Sequence, residues 1–596
     1  MTEMVARLAP GATVPQVTSE VASIYARMQS DHREAYDPGA RFRVTVIPFK
    51  EVLGERARLT LWLLMGAAGF VLIISAANVA NLTLMRGIRR SQELVTRAAL
   101  GAGVTRLRRL LLAENIVLAL LGGALGVALA IGGLGLLTSF AERYSPRASE
   151  IRLDVVVLGF TLAVAVGLSL LLSRLAALPE EGALASWIAG GGRLTSGLRK
   201  HRLQRLLVVV QVAVSVLLLT GAGLLTRTLL RLSEVESGLV TEEVLTVELS
   251  LLSGRQRRDS AASAAARSRF QQMQLEIAGL PGVRDVAYGS PPLRSENIWF
   301  DVKAEGQPVE PGQPTPNAEL RFAGPGYFHA AGIPLLKGRA FTGTEAVDLG
   351  RVAIINQVLA DRLFHGQDPV GQRIASFDVV RFAWGDWRTI VGVVGNTRDA
   401  GLAEDPPPAM FIPQQRGLSG ALAIRAESNA AALVPTVTGI VRRIAPNAAI
   451  ERVATITETR DESVSARRLN ATLIASFGLL ALLIAAVGIA GVLAFSVSAR
   501  TNEIGIRMSL GADAGKVQRM ILSEGGVLLA LGLGLGIAGA FALAGMIRGL
   551  LYGVPPHDPV TFIGVAVTMA AIGIGSCWIP ALRAARIDPA IAMRSE

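Results

Sequence analysis

The sequence predicts a membrane α-helical protein of about seven spans, two three-span blocks plus one further span, with an α+β extracytoplasmic domain. Three observations predict it. Of the 596 residues, 51% are hydrophobic and 18% charged, and the mean hydropathy is +0.45, too apolar for an ordinary soluble chain. Uncharged apolar windows of span length recur at 59–85, 115–141, 155–173, 206–226, 469–499, 525–547 and 559–582. A charged stretch between two such windows occurs twice, as RSQELVTRAALGA (90–102) and RTNEIGIRMSLGA (500–512), at an offset of 410.

Charge sets the direction of the spans. The net charge is +12, and the basic residues cluster beside the apolar windows, which is a positive-inside pattern rather than a nucleic-acid footprint. Residues 86–109 hold Arg86, Arg89, Arg90, Arg97, Arg106, Arg108 and Arg109 against one acid, Glu93. The connector 174–205 and the tail after 583 are basic too, so all three are expected in the cytoplasm, with the C-terminus. Residues 233–467 hold 24 basic and 27 acidic residues and are expected outside. Seven alternating spans then put residues 1–57 outside with neither a signal peptide nor a span ahead of them, so the chain is expected to lack its natural beginning, one span included.

In order, residues 1–57 read as the end of a first extracytoplasmic domain, with a helix at VPQVTSEVASIYARM (14–28) and a strand at RFRVTVIPF (41–49). Residues 58–178 are the first three-span block, 179–204 a cytoplasmic connector and 205–232 a single span. Residues 233–467 alternate helix and strand signals in a two-lobed α+β domain. A helix is expected at 261–280, strands at 283–289, 351–357 and 388–397, and a helix at 357–364. Residues 468–596 are the second three-span block. Asp154 and Asp558 each precede the third span of a block. The glycines of 122–135 and 531–539 suit close helix approach, or reflect composition alone.

The two charged loops are the candidate functional sites. As helices they set Glu93 four residues before Arg97, and Glu503 four before Arg507, the favourable order for an ion pair. Arg89 stands four before Glu93. Leu94, Ala98 and Leu100, and Ile504, Ile506 and Met508, form an irregular apolar side, and Gly101 and Gly511 supply a helix stop. Glu114 and Glu524, at the start of the next spans, read as interfacial carboxylates within reach of Arg109 and Arg519; a proton site is the alternative. No G-x-x-x-x-G-K-[ST] occurs, the five His are scattered and the one Cys, Cys577, lies in an apolar window. No catalytic residue, metal site or cofactor is assigned, and the chain is not read as an enzyme.

The paired RxxExxxRxxLGA loops, NVANLTLMR (78–86) and IPALRAARIDP (579–589) resemble FtsX-like permeases of MacB-type ABC transporters. Residues 324–342, 352–374 and 390–413 resemble the MacB-like periplasmic core domain, and the duplicated arrangement is similar to the large permeases of acidobacterial type. The resemblance implies a multi-pass protein of the bacterial inner membrane, a permease subunit for export or mechanotransmission. It implies a separate ABC ATPase subunit docked on coupling helices at Arg90, Glu93, Arg97 and Gly101 and at Arg500, Glu503, Arg507 and Gly511. It also implies contact with the lipid bilayer and with a periplasmic adaptor or envelope partner, and no nucleic acid. Residues 1–57 would be the remnant of a first core domain. AALPEEG (176–182) lacks the basic residues of PALRAAR (580–586), which marks the first block as the more degenerate copy. The alternative is an envelope signalling or scaffold protein regulating a partner such as a cell-wall hydrolase.

Overall fold

A computed structural model describes residues 6–31, 45–90, 93, 96–97, 100, 104–141, 153–175, 195–239, 243–252, 259–295, 298–307, 315–348, 351–378, 383–413, 419–510 and 513–585. In chain order the elements begin with the helices α1 (Val14–Asp31), α2 (Phe49–Arg89), α3 (Val104–Ala141), α4 (Val155–Leu175) and α5 (Thr195–Ser233). Next come β1 (Val244–Ser250), α6 (Ser260–Ala278), β2 (Val283–Gly289), β3 (Trp299–Ala304), β4 (Asn317–Ala323), α7 (Tyr327–Ala331), β5 (Leu335–Gly338) and α8 (Gly343–Asp348). Then follow β6 (Val352–Asn356), α9 (Gln357–Phe364), β7 (Arg373–Asp378), β8 (Ala383–Trp384), β9 (Arg388–Val394), β10 (Ala409–Pro413), β11 (Ser419–Ala426), α10 (Val434–Ile444) and β12 (Ala449–Thr455). The chain closes with α11 (Ile456–Ala499), α12 (Thr501–Ser509), α13 (Ala514–Leu543) and α14 (Pro559–Ala585). Two compact units result, Met1–Arg56 with Glu234–Val464, and Ala57–Ser233 with Ser465–Glu596.

The first unit holds the strands. β12, β1, β11 and β2 form an antiparallel sheet in that order, with α6 linking β1 to β2 and α10 linking β11 to β12, a split βαβ pattern. Leu245, Val247 and Leu249 alternate onto one face and pack with Phe270, Met273 and Ile277 of α6 and Val437 and Val441 of α10. Asp259 starts α6 by accepting from the amides of Ala261 and Ala262. Between β2 and β11 the chain inserts a second lobe. Its strands run β10-β6-β9-β7-β3-β4, and a parallel β10–β4 pairing closes the ring. The two lobes share one pair, Gly289 with Ala323. Gly289 is needed there, because a Cβ would stand 2.5 Å from the Tyr327 ring, whose hydroxyl donates to Ser290 O at 2.6 Å.

Beside that joint Arg321, 1% exposed, donates to Pro291 O at 2.7 Å and lies 3.1 Å from Asp399 and 3.6 Å from Glu319. A buried cation held by two carboxylates and loop carbonyls fixes the 290–295 loop against β4. Outside the sheet, α1 buries none of its residues. The strand expected over 41–49 is corrected: residues 45–48 have no regular structure and Phe49 opens α2, while 41–44 lie outside the described residues. Pro48 donates no amide, which suits the lip of a helix better than a strand ladder.

The second unit is helical. Among the described residues six helices are long and apolar enough to cross a bilayer, at Thr60–Arg86, Leu112–Gly135, Arg202–Ser233, Ile456–Ser498, Ala514–Leu550 and Pro559–Ala584. The apolar part of α4, Val155–Leu171, is shorter, in the window that was also the shortest in the sequence. α2 and α11 meet through repeat-related positions: Ala67, Val71 and Ile74 share a cluster with Phe477, Ala481 and Ile484, and Asn470 donates to its own counterpart Thr60 at 3.3 Å. Equivalent residues meeting one another is the signature of a local two-fold axis. α3 packs on α4 in the first block as α13 packs on α14 in the second.

α5 joins this arrangement on the second block. Val208, Val209, Val212 and Val216 are buried with Leu528 and Leu529 of α13, and a Cβ on Gly532 or Gly536 would stand 2.5 or 2.6 Å from the Cβ of Val212 or Val216. Lipid is as apolar as valine, so this contact rests on the close approach that glycine allows. Gly525 makes the same allowance for Cys577 of α14, 2.6 Å from where its Cβ would be. Gly534, in the same run, meets nothing. The close-approach reading of the glycines therefore holds at some positions and not at their neighbours.

Candidate coupling surface

The second charged loop folds as α12, a helix of nine residues with Glu503 in its first turn and Arg507 in its last, the order that suits the helix dipole. Ile504, 2% exposed, anchors it in the bundle core with Val497, Val517 and Ile521, and Met508 packs beside them. Turned outward are Glu503, Ile506, Arg507 and Leu510, spaced i, i+3, i+4 and i+7 on one helix face. Leu510 is 81% exposed, and Arg507 lies 2.6 Å from Glu503.

After Arg90, the described residues of the first loop are Glu93, Thr96, Arg97 and Leu100, which are the same four positions at an offset of 410. All four are exposed, Leu100 by 83%, and Arg97 lies 2.7 Å from Glu93. Each loop thus presents a carboxylate, a guanidinium and a protruding leucine. Half-exposed Glu–Arg pairs contribute about 0.3–0.5 kcal/mol each, so they hold side chains in place more than they stabilise the fold. A face of this kind, with an apolar knob beside fixed charges of both signs, suits a protein partner.

The two leading arginines act differently. Arg90 donates to both oxygens of Glu114, at 2.9 and 3.1 Å, and comes within 4.0 Å of Glu93. Arg500 lies 3.6 Å from Glu524, which also takes Arg205 of α5. Glu114 and Glu524 are therefore ion-paired carboxylates at the ends of their spans next to the charged loops, with partners other than the expected Arg109 and Arg519. These braces tie each loop to the span that follows it. Gly101 and Gly511 lie outside the described residues, as do Leu94 and Ala98, and the side chain of Arg89 is not described.

Sequence reasoning missed the outward leucines. It placed Leu100 and Ile506 on the apolar side of the loop and passed over Leu510. The i, i+7 relation of Leu510 to Glu503, and of Leu100 to Glu93, was the available signal.

Two family models match the chain. The FtsX-like permease C-terminal model matches residues 65–179 and again 475–589, the same offset as the loops, and the MacB-like periplasmic core domain matches 206–459. The macrolide export ATP-binding/permease protein MacB of Azoarcus sp. (strain BH72) is 27% identical over 284 residues, 45% of this chain and 41% of that protein. The uncharacterized ABC transporter permease YknZ of Bacillus subtilis (strain 168) is 28% identical over 368 residues, 59% of this chain and 85% of that one. The chain thus spans under half the length of the MacB relative it matches. Among solved structures, the periplasmic region of MacB from Actinobacillus actinomycetemcomitans aligns at 12% identity over 38% of this chain and 94% of that one, with a TM-score of 0.25.

Proposed function

Because this chain belongs to the FtsX-like permeases of the MacB type, multi-pass proteins of the inner membrane, we propose that it is the permease subunit of an ABC-type export or mechanotransmission complex. ATP is hydrolysed on a separate subunit, since this sequence carries no phosphate-binding G-x-x-x-x-G-K-[ST]. That subunit docks on the cytoplasmic faces Glu93/Thr96/Arg97/Leu100 and Glu503/Ile506/Arg507/Leu510, and the C-terminus lies on the same side. Its stroke passes through Arg90–Glu114, and through Arg500–Glu524 with Arg205, into the spans, and from there to the outer domain. The exposed leucines and valines of the spans contact lipid, and the outer domain engages a periplasmic adaptor or envelope partner.

The observation that carries this reading is the recurrence of one exposed face on two loops, each braced to the following span. The experiment is purification of the tagged full-length chain from native membranes, with ATP hydrolysis measured in the eluate. Co-purifying activity, lowered about tenfold or more by Glu503→Lys with Arg507→Glu, supports docking, a loss of ~1.4 kcal/mol or more in binding. Activity unchanged by the double reversal removes the coupling assignment. An eluate without ATPase activity but with a bound wall hydrolase supports the scaffold alternative instead.

A further inference from the structure

The seam between α2 and α5 changes character along its length. Ala67 of α2 shares a buried cluster with Val214 and Leu218 of α5, so that part of the seam is apolar. Farther along, Ile74 O accepts from Gln211 Nε2 at the long distance of 3.4 Å. The two helices therefore run in opposite directions, and seven residues nearer the charged loops on each stand Asn81 and Gln204. Seven residues are about 10 Å along a helix and return the side chain to nearly the same face. Asn81, Gln204 and Gln211 are each 2% exposed or less.

Four polar atoms of these three amides have no hydrogen-bond partner among the described residues: Asn81 Nδ2 and Oδ1, Gln204 Nε2 and Gln211 Oε1. The backbone of α11 closes over the last of them, since a Cβ on Gly488 would stand 2.5 Å from Gln211 Oε1. Ser215, one turn beyond Gln211, lies 2.8 Å from Gln211 O and 3.2 Å from Ala481 O and is satisfied. Toward the loops a small pocket, with room for about one water, lies beside Gln204 and is also lined by Arg205, Phe495, Ser496 and Glu524.

We infer that the loop-side half of this seam is a binding site for water, held by Asn81, Gln204 and Gln211 and entered beside Glu524. An unpaired amide inside a span is costly, and leucine would fill the same space without that cost if the seam were dry. The occupant must accept from Asn81 Nδ2 and Gln204 Nε2 and donate to Asn81 Oδ1 and Gln211 Oε1. A metal cation cannot accept from an amide N–H, and an anion meets the amide oxygens and the Glu524 carboxylate unfavourably. A small neutral molecule that both donates and accepts fits, and the pocket admits nothing much larger than water. Water between Gln204 and Glu524 extends the Arg500–Glu524–Arg205 brace of the second loop toward α2 of the first block.

The test is hydroxyl-radical labelling of the purified full-length chain in detergent, with radicals made from water by X-ray pulses and modified residues read by mass spectrometry. Bound water delivers radicals to its buried neighbours. Phe495 lines the pocket, whereas Met569 of α14, 1% exposed, sits in the apolar core cluster. Methionine is the more reactive side chain, yet Phe495 is expected to be labelled at least about fivefold faster than Met569. Asn81→Leu with Gln204→Leu should lower the Phe495 rate about fivefold. The thermal unfolding midpoint of the same variant should fall by about 2 °C or more, because hydrogen bonds to water are lost; apolar replacement of dry, unpaired amides would raise it. Phe495 no faster than Met569, a Phe495 rate unchanged in the double variant, or a raised midpoint would each overturn the inference. The readout involves no ATPase, so it can fail without the docking reading failing, and the reverse.

Discussion

The two membrane blocks are built from one plan and are completed differently. Each has a braced charged loop, a span packed on its third helix and an aspartate capping that third helix. The second block also holds α5, and with it an ion pair at each membrane boundary and a glycine stripe filled by valines. In the first block Gly122 and Gly126 meet nothing, and the carboxylate Glu114 is taken by Arg90 of the block's own loop. The difference teaches that one glycine spacing is filled by a helix in the second block and left exposed in the first, so the spacing alone does not decide what packs on it.

The comparison can be broken first at the ends of the spans away from the charged loops. Arg227→Met leaves the buried Asp558 without its cation and should cost about 3–5 kcal/mol, whereas Asp154→Ala removes only a helix cap, about 1 kcal/mol. Unfolding of the full chain in detergent measures both, and equal costs would mean that the two blocks are not completed differently. Next comes Gly536→Leu, which forces a side chain into Val216 and should cost about 1–3 kcal/mol, against little change for Gly126→Leu in the chain alone. Thermal unfolding midpoints check the pair.

Smaller effects sharpen the roles of the loops. Glu503→Gln and Glu93→Gln should each change stability by under about 0.5 kcal/mol, because both pairs are half exposed. A larger loss for either in the same unfolding assay would show that its pair supports the fold. A Glu–Arg pair away from both blocks gives a control. The hydrogen bond from Arg339 holds the Glu345 carboxyl at about 2, below its ordinary 4.5, with the Thr342 amide also donating. A depressed folded value means that its stabilisation is present above about pH 4.5 and is lost as pH falls toward 2. Amide exchange at Thr342, corrected for intrinsic rate, should lose protection across that window and lose its pH dependence in Glu345→Gln.

Much of this was legible in the sequence, for identifiable reasons. The spans follow from apolar length, and the duplicated loops from a spacing that needs no structure to see. The strands at 283–289 and 388–394 and the helix at 357–364 follow from local pattern. Other features depend on contacts far apart in sequence. Which glycines matter depends on what packs against them: Gly532 and Gly534 look alike in the chain, and only one faces α5. The partners of Glu524 come from residues 500 and 205, neither of them the neighbouring Arg519. Arg321 reads as an ordinary strand arginine until Asp399 and the 290–295 loop close over it. The closed second lobe is equally hidden, since β4 and β10 are distant in the chain.

The most direct measurement is ATPase capture by the full-length chain with Ile506→Asp and Leu510→Asp, beside the chain with Leu100→Asp. Placing a carboxylate on the protruding face leaves the buried anchor Ile504 and the Arg500–Glu524 brace intact, so the helix stays in place while its docking surface is lost. The account predicts at least about a tenfold loss of bound ATPase for the double variant and a measurable, smaller loss for Leu100→Asp. Full retention of ATPase by both would contradict it.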